Sequence, residues 1–180
     1  IHRLAALVHR FPTTYFSCLI DNLETATQIA DVFEQHTLSL PVFIDLNVGM
    51  KRTGTAPAQA LTLFEHCRTL KGITIRGLHA YDGHIRDTDF AIRKNKCDEA
   101  FAPVVALQAD IKKNFNVTLK IVVGGTPTYS IHCKREEVEC SPGTFIYWDK
   151  GYQDTLPEQK FILAALVVTR VISRPSHESI

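Results

Sequence analysis

Apolar segments of two kinds alternate along the 180 residues. Short, nearly continuous apolar runs, typical of strands buried on both faces, are followed by longer stretches with the three- and four-residue spacing of helices. The strand-type runs are residues 15–20, 41–46, 73–81 and 119–123. Such alternation predicts βαβ units and a parallel sheet. Right-handed crossovers then leave two architectures, an open doubly wound sheet or part of a (β/α)8 barrel.

Local signals mark where the helices begin. The sequence over residues 21–24 is typical of a capping box, with Glu24 three residues after Asp21. Thr55 is placed to cap the next helix, with Pro57 in its first turn. A long helical pattern covers residues 88–114, and we expect a break or kink near Pro103.

The C-terminal part departs from this alternation. Residues 138–140 and 145–148 are predicted to form short strands, which gives five or six strands, whereas a complete barrel usually needs about 250 residues. Residues 161–171 form a run rich in Val and Ile with no helix after it. This run predicts the start of a separate β domain.

Composition excludes several classes of partner. A net charge of +1, with basic and acidic residues interspersed, offers no field for nucleic acid. No apolar run approaches the roughly 20 residues that span a bilayer.

Five cysteines without a CxxC pair argue against a disulfide framework and favour reduced thiols in a cytoplasmic protein. Because the chain begins at Ile1 and shows no signal peptide, we expect it to be an excerpt from a longer protein.

Polar and glycine residues collect where the predicted strands end. In parallel α/β folds, ligands bind at the carboxyl ends of the strands. The clusters lie at residues 45–54, 79–84, 124–128 and 139–144. Four successive clusters of this kind predict a binding site at one edge of the sheet.

The segment Gly124-Gly125-Thr126-Pro127-Thr128 has the composition of a phosphate cradle. Two glycines let the backbone approach a ligand closely, Thr126 is a good N-cap, and Pro127 suits the first helical position. A helix that starts there directs free N–H groups at an anion, and the two threonines add hydroxyl donors. A plain strand-to-helix turn explains the same residues equally well.

Three further side chains are suited to chemistry. Arg52 can bond an anionic or phenolic oxygen, Tyr81 can stack on a flat ring, and His84 is a residue type suited to acid–base chemistry. Taken singly, each also has a plainer interpretation, as a solvated arginine, a core tyrosine and a surface histidine. His132, beside Cys133, has no further ligand within reach, so we interpret it as structural.

Taken together, these segments resemble the D-threonine aldolase family, which is related to the alanine-racemase-like (fold type III) enzymes that use pyridoxal 5'-phosphate (PLP). The matching motifs are DxxxGxxRTG at residues 45–54, the segments 77–84 and 124–128, and the PGT segment within residues 139–149. They follow the family's order over most of residues 1–174. The resemblance implies a partial (β/α)8 barrel over residues 1–158, without its first strand or strands, and the start of a C-terminal β domain over residues 159–180.

The resemblance also implies roles for single residues. Arg52 would reach the phenolic oxygen of PLP, Tyr81 would lie against its pyridine ring, and His84 would lie near the substrate. Tyr81 and His84 are therefore the catalytic candidates. Ser141 stands where alanine racemases place an arginine against the pyridine nitrogen, and a hydroxyl tunes that nitrogen more weakly. The other cofactor-binding candidates are Gly124, Gly125, Thr126, Thr128, Gly143 and Thr144.

Two parts of such an enzyme are expected to lie elsewhere. The resemblance places the Schiff-base lysine upstream of Ile1 and a divalent metal (Mn, Mg or Zn) in the C-terminal β domain, so no metal ligand is expected in this chain. The full-length protein, a homodimer in many family members, would cleave D-β-hydroxy-α-amino acids to glycine and an aldehyde. The 180 residues alone are expected to be inactive.

Three alternatives remain open. The full-length protein could resemble D-serine dehydratase, which eliminates water from a small D-amino acid instead. It could also be a non-catalytic PLP-binding protein or a truncated product. An open nucleotide-binding sheet is disfavoured, because no GxGxxG motif follows a strand.

Overall fold

The computed structural model describes residues 1–178, and the last two residues of the predicted β-domain segment lie outside them. The helices are α1 (His2–Arg10), α2 (Leu23–Gln35), α3 (Pro57–Cys67), α4 (Phe90–Phe115), α5 (Tyr129–His132) and α6 (Lys150–Thr155). The strands are β1 (Cys18–Ile20), β2 (Leu40–Leu46), β3 (Ile73–Ala80), β4 (Lys120–Val123) and β5 (Val138–Cys140). Among the described helices, none has the length and apolar character needed to cross a membrane.

The five strands form one parallel sheet in sequential order, β1-β2-β3-β4-β5. Each strand pairs with the next one along the chain, and a helix connects each pair. In a doubly wound sheet the strand order reverses at a switch point, whereas in a (β/α)8 barrel it advances in one direction. The observed order therefore confirms the predicted partial barrel.

The core lies between the sheet and the layer formed by α2, α3 and α4. On β2, Val42 and Ile44 face the helices and are fully buried, while Phe43 faces the opposite side and is only partly buried. The predicted apolar stripe of α2 is buried as expected, including Ala30 and Phe33. The inward-facing residues of the strands and the apolar stripes of the helices thus pack together in one buried layer.

Two of the predicted helix starts are corrected. Asn22, not Asp21, caps α2 by accepting a hydrogen bond from the backbone N–H of Thr25 at 2.8 Å. Asp21 instead accepts the N–H of Gly54 in the loop after β2, at 3.1 Å. Thr55 does not cap α3, because its backbone is hydrogen-bonded to Asp45 and Asn47 next to β2.

Of the break or kink predicted near Pro103, the break is wrong. Helix α4 runs for 26 residues with Pro103 inside it. Pro103 is exposed, so the carbonyl that loses its helical partner lies on the solvent side, where water can satisfy it. Asp89 caps the helix at its start, and Asn116 ends it in the left-handed region with φ of 54°.

The C-terminal strand predictions are also corrected. Residues 145–148, predicted as a strand, belong largely to a 3-10 turn, Thr144–Tyr147. Residues 161–171 form no strand, and Val167 and Val168 are at least 90% exposed. A β-type run needs a neighbouring strand to satisfy its backbone, and the described residues offer this run none. The assignment of residues 159–180 to a β domain remains a prediction.

Candidate functional site

The loops that follow β2, β3 and β4 lie side by side, because these strands are neighbours in a parallel sheet. Arg52 belongs to the loop after β2, and its guanidinium carbon lies 4.9 Å from the centre of the Tyr81 ring. Tyr81 follows β3 directly and is half-buried, while Arg52 is exposed. A cation and an aromatic face thus meet at the carboxyl edge of the sheet.

The loop after β4, residues 124–128, is here called the glycine loop. Gly124 has φ of +85°, a conformation that favours glycine. A Cβ atom on Gly125 would lie only 2.9 Å from Cε2 of Tyr81. The two glycines therefore let this backbone turn sharply and pack directly against the tyrosine ring.

Side chains from later in the chain hold the carbonyl groups of the glycine loop. The Ser141 hydroxyl donates to the carbonyl of Gly124 at 3.1 Å, and the Gln159 amide donates to the carbonyl of Thr126 at 2.9 Å. Ser141, which stands where alanine racemases place an arginine against the pyridine nitrogen, thus donates its hydroxyl proton within the protein. Two carbonyl groups of the loop therefore have partners within the protein itself.

The two threonines of the glycine loop have different surroundings. The hydroxyl of Thr126 lies 3.0 Å from that of Thr144, which is exposed. The hydroxyl of Thr128 is fully buried and donates to Asp82 at 2.6 Å. The prediction that Thr128 adds a free donor for an anion is therefore wrong, because its proton points away from the open edge.

The helix after the glycine loop is shorter than predicted. A 3-10 turn, Thr126–Thr128, leads into the four residues of α5, and Gly125 stands at the N-cap position that was predicted for Thr126. A helix of this length has a small macrodipole. Recognition of an anion here would depend on the close approach that the two glycines allow and on neighbouring side chains more than on a helix dipole, because the N–H groups of Gly124 and Gly125 are bonded to Ala80 and Thr128.

His84 lies beside the loop that carries Arg52. A Cβ atom on Gly49 would lie 2.5 Å from Nε2 of His84, so the ring rests on the backbone there. His84 is exposed, as are Gly143 and Thr144 on the other side of the site. The structure thus places every predicted site residue at the carboxyl edge, with Arg52, Tyr81 and Gly125 in closest association.

Asp45 anchors the loop that carries Arg52. Its carboxylate lies 2.6 Å from Nδ1 of His79. Burial acts to raise the pKa of Asp45, but hydrogen bonds from His79 and Thr53 and the positive charges of His79 and Arg52 together lower it. Asp45 is therefore held as a carboxylate, next to the segment in which Arg52 lies.

A buried group behind the glycine loop was missed by the sequence analysis. Nε2 of His132 lies 2.9 Å from Oδ2 of Asp82 and 3.1 Å from Sγ of Cys97. The statement that His132 has no further ligand within reach is therefore wrong. The three residues are 15 to 50 positions apart in sequence, and no local spacing relates them.

The chain is similar to several known proteins. The family described as "Alanine racemase, N-terminal domain" matches residues 5–150. D-threonine aldolase of Arthrobacter sp. is 21% identical over 99% of this chain and 48% of its own length. The crystal structure of D-threonine aldolase from Filomicrobium marinum superposes with a TM-score of 0.83 at 23% identity, over 97% of this chain and 48% of that one.

A third similar protein is D-threo-3-hydroxyaspartate dehydratase from Delftia sp. HT23. Its TM-score is 0.72 at 22% identity, over 86% of this chain and 42% of that one. The chain thus spans about half the length of these relatives. The similarities confirm the resemblance that the motifs indicated.

Proposed function

The chain belongs to the alanine racemase N-terminal domain family, and from this premise we propose that it forms the PLP-binding side of the active site of a lyase similar to D-threonine aldolase. The observation that carries the proposal is the meeting of Arg52, Tyr81 and Gly125 at the ends of three adjacent strands. A flat, anionic cofactor needs a cation, an aromatic surface and a close backbone approach, and these three residues offer one of each.

The residues present fit PLP in several respects. Tyr81 would support the ring, Arg52 would bond an oxygen of the cofactor, and the backbone of Gly125 would approach the phosphate where a larger residue would strike Tyr81. The exposed hydroxyl of Thr144 would add a donor beside Thr126. Ser141 and Thr128 would support the glycine loop from within.

When bound, PLP supplies an electron sink for the carbanion that forms when a bond to Cα of an amino acid breaks. The residues of this chain would fix the plane of the ring, and the negative charge of Asp45 would attract Arg52 from nearby. His84, at the exposed edge of the site, would exchange a proton with the substrate. The proposed substrate class is a D-β-hydroxy-α-amino acid.

The resemblance places neither the covalent lysine nor the metal ligands in this chain, and Lys51, which is exposed beside Arg52, is not in the sequence context of that lysine. Lys120, at the first residue of β4, lies at the opposite end of that strand from the glycine loop and pairs with Glu139 at 2.7 Å. We propose that the covalent lysine and a divalent metal come from segments that the longer relatives possess. The 180 residues alone should therefore bind PLP but not complete the reaction.

The reaction itself is tested with the product of the complete reading frame that contains these residues. Supplied with PLP and Mn²⁺, it should convert D-threonine to glycine and acetaldehyde, and EDTA should abolish the conversion. Arg52→Leu should lower kcat/KM about a hundredfold, because it removes a preorganised charge. Arg76→Leu, an exposed arginine on β3, is the matched control and should change kcat/KM less than twofold. Production of pyruvate from D-serine without aldol cleavage would support a dehydratase instead.

A further inference from the structure

A buried chain of hydrogen bonds runs from the glycine loop into the protein. The Thr128 hydroxyl donates to Oδ1 of Asp82 at 2.6 Å, and Oδ2 of the same carboxylate lies 2.9 Å from Nε2 of His132. Asp82, Thr128 and His132 are each at most 2% exposed. Burying a carboxylate costs free energy unless hydrogen bonds compensate for the lost water. The partners of Asp82 therefore indicate what its burial achieves.

The direction of the hydrogen bond between His132 and Asp82 follows from Arg135. Its Nε lies 3.1 Å from Nδ1 of His132, and a guanidinium can only donate. Nδ1 must therefore accept, which places the ring proton on Nε2, facing Asp82. The histidine thus donates to one oxygen of the carboxylate while Thr128 donates to the other. Both oxygens of Asp82 are occupied by donors.

The same directions fix the backbone of the glycine loop. The Thr128 hydroxyl has one proton, and its 2.6 Å contact with Asp82 is shorter than its 3.3 Å contact with the carbonyl of Gly125. With the proton given to Asp82, the hydroxyl oxygen is free to accept the N–H of Gly125 at 3.1 Å. The orientation of the Gly125 peptide therefore depends on Asp82 through one intermediate hydroxyl.

Asp82 also follows Tyr81 directly in the chain, and the Tyr81 ring packs against Gly125. We propose that Asp82 is a positioning residue, which holds the glycine loop at a set distance from Tyr81 through Thr128, so that ring and phosphate of PLP are recognised together. This inference rests on the proposed function. On this inference, Asp82 makes the site bind PLP more tightly than pyridoxal, which has no phosphate.

The buried group could also be considered as a metal site. The ligand atoms of Asp82, Cys97 and His132 all lie within 4.8 Å of one another. Burial and then the charge of Asp82 raise the pKa of the Cys97 thiol to about 12, so it stays neutral. The proton on Nε2 of His132 faces the other two ligands. A metal ion would have to displace both protons and turn Arg135 away, so the observed contacts favour the hydrogen-bonded form.

The test compares the dissociation constants of PLP and pyridoxal for variants of this chain. Thr128→Val and Asp82→Asn should each weaken PLP binding about thirtyfold, the effect of losing a hydrogen bond to a charged group. Pyridoxal, which has no phosphate, should be weakened less than threefold. Thr128→Ser keeps the hydroxyl and should retain wild-type selectivity. The double variant should bind PLP no more weakly than the poorer single variant, since both changes break one connection.

Cys97→Ser is the matched control within the same buried group. Its Sγ contacts Asp82 and His132 but belongs to no hydrogen bond with the glycine loop. The ratio of PLP to pyridoxal affinity should stay within twofold of the wild type. Thermal unfolding followed by circular dichroism establishes that each variant is folded.

Amide hydrogen exchange at Gly125 gives a second readout that needs no cofactor. The Gly125 N–H should exchange slowly in the wild type and in Thr128→Ser, and at least tenfold faster in Thr128→Val and Asp82→Asn. Failure of the wild type to bind PLP would refute the proposed function, while exchange would still judge the positioning role. The inference would be overturned if the variants left amide exchange at Gly125 unchanged, or if they weakened the binding of PLP and pyridoxal equally. It would also be overturned if the protein held a stoichiometric zinc ion that Cys97→Ser removes.

Discussion

Replacing Gly72 with alanine is expected to destabilise the fold by about 3 kcal/mol, at the upper end of the cost of overpacking a core. Gly72 directly precedes β3, and a Cβ atom there would lie 1.9 Å from the carbonyl oxygen of Ala30 in α2. The obstacle is backbone, so no side-chain rotation relieves it. Helix α2 and the start of β3 must move apart, which also strains the hydrogen bond from Leu40 to Gly72 at 3.0 Å.

Urea or thermal unfolding measures this effect, and the midpoint of thermal unfolding should fall by about 9 °C for a chain of this length. Gly143→Ala is the matched control, because nothing lies within 4 Å of its Cβ position and its φ is −99°. The control should be within about 0.5 kcal/mol of the wild type. Equal stabilities for the two variants would show that α2 does not pack on β3 as described.

Glu158→Gln should cost about 3 kcal/mol, because it takes the counter-charge from the buried Arg93 guanidinium, although Glu158 itself is exposed. The Arg93 guanidinium is fully buried and pairs with Glu158, which also accepts the Ser130 hydroxyl at 2.9 Å. The amide oxygen of a glutamine can still accept a hydrogen bond, as can the carbonyls of Asp87 and Thr88, but the buried arginine charge then has no opposite charge beside it. The change also loosens the segment that brings Gln159 to the glycine loop.

The effect of Glu158→Gln should depend on pH. Burial acts to raise the pKa of Glu158, but its hydrogen bonds and the charge of Arg93 outweigh burial and lower it below the ordinary value of 4.5. A lowered pKa in the folded state contributes stability above the unfolded pKa, and this contribution is lost as the pH falls through the folded value. The free energies of unfolding of wild type and variant should therefore differ most near pH 7 and converge below pH 4.5.

Glu65→Gln, at an exposed position on α3, supplies the control for this second prediction. Its free energy of unfolding should stay within about 0.5 kcal/mol of the wild type across the same pH range. A difference between wild type and Glu158→Gln that is small at pH 7, or that does not change with pH, would contradict the account of the Arg93 pair.

Much of the fold could be predicted from apolar patterning alone. Strands β2 to β4 were located within one residue or so, because a strand between two apolar layers has a nearly continuous apolar sequence. The choice between barrel and open sheet depended on strand order, which local patterns do not contain. The cap at Asn22 was missed by one residue, since Asp21 and Asn22 have equal capping propensity and only tertiary contact with Gly54 distinguishes them.

The site was predicted in position but less well in the direction of its side chains. The motifs located Arg52, Tyr81 and Gly125, and the structure brings them together. The inward turn of the Thr128 hydroxyl could not be foreseen, because its acceptor Asp82 lies 46 residues earlier. Residues 161–171 have the composition of a strand but no neighbouring strand among the described residues. Composition does not predict whether such a neighbour is present.

Titration of the 180-residue chain with PLP, followed by the absorbance of the cofactor, tests the central claim most directly. Saturable binding at one site is expected, with inorganic phosphate competing and with Gly125→Val abolishing it through collision with Tyr81. Treatment with borohydride should leave no cofactor attached at that site. Absence of saturable binding, or binding indifferent to both phosphate and Gly125→Val, would show that the glycine loop and Tyr81 do not form a PLP site.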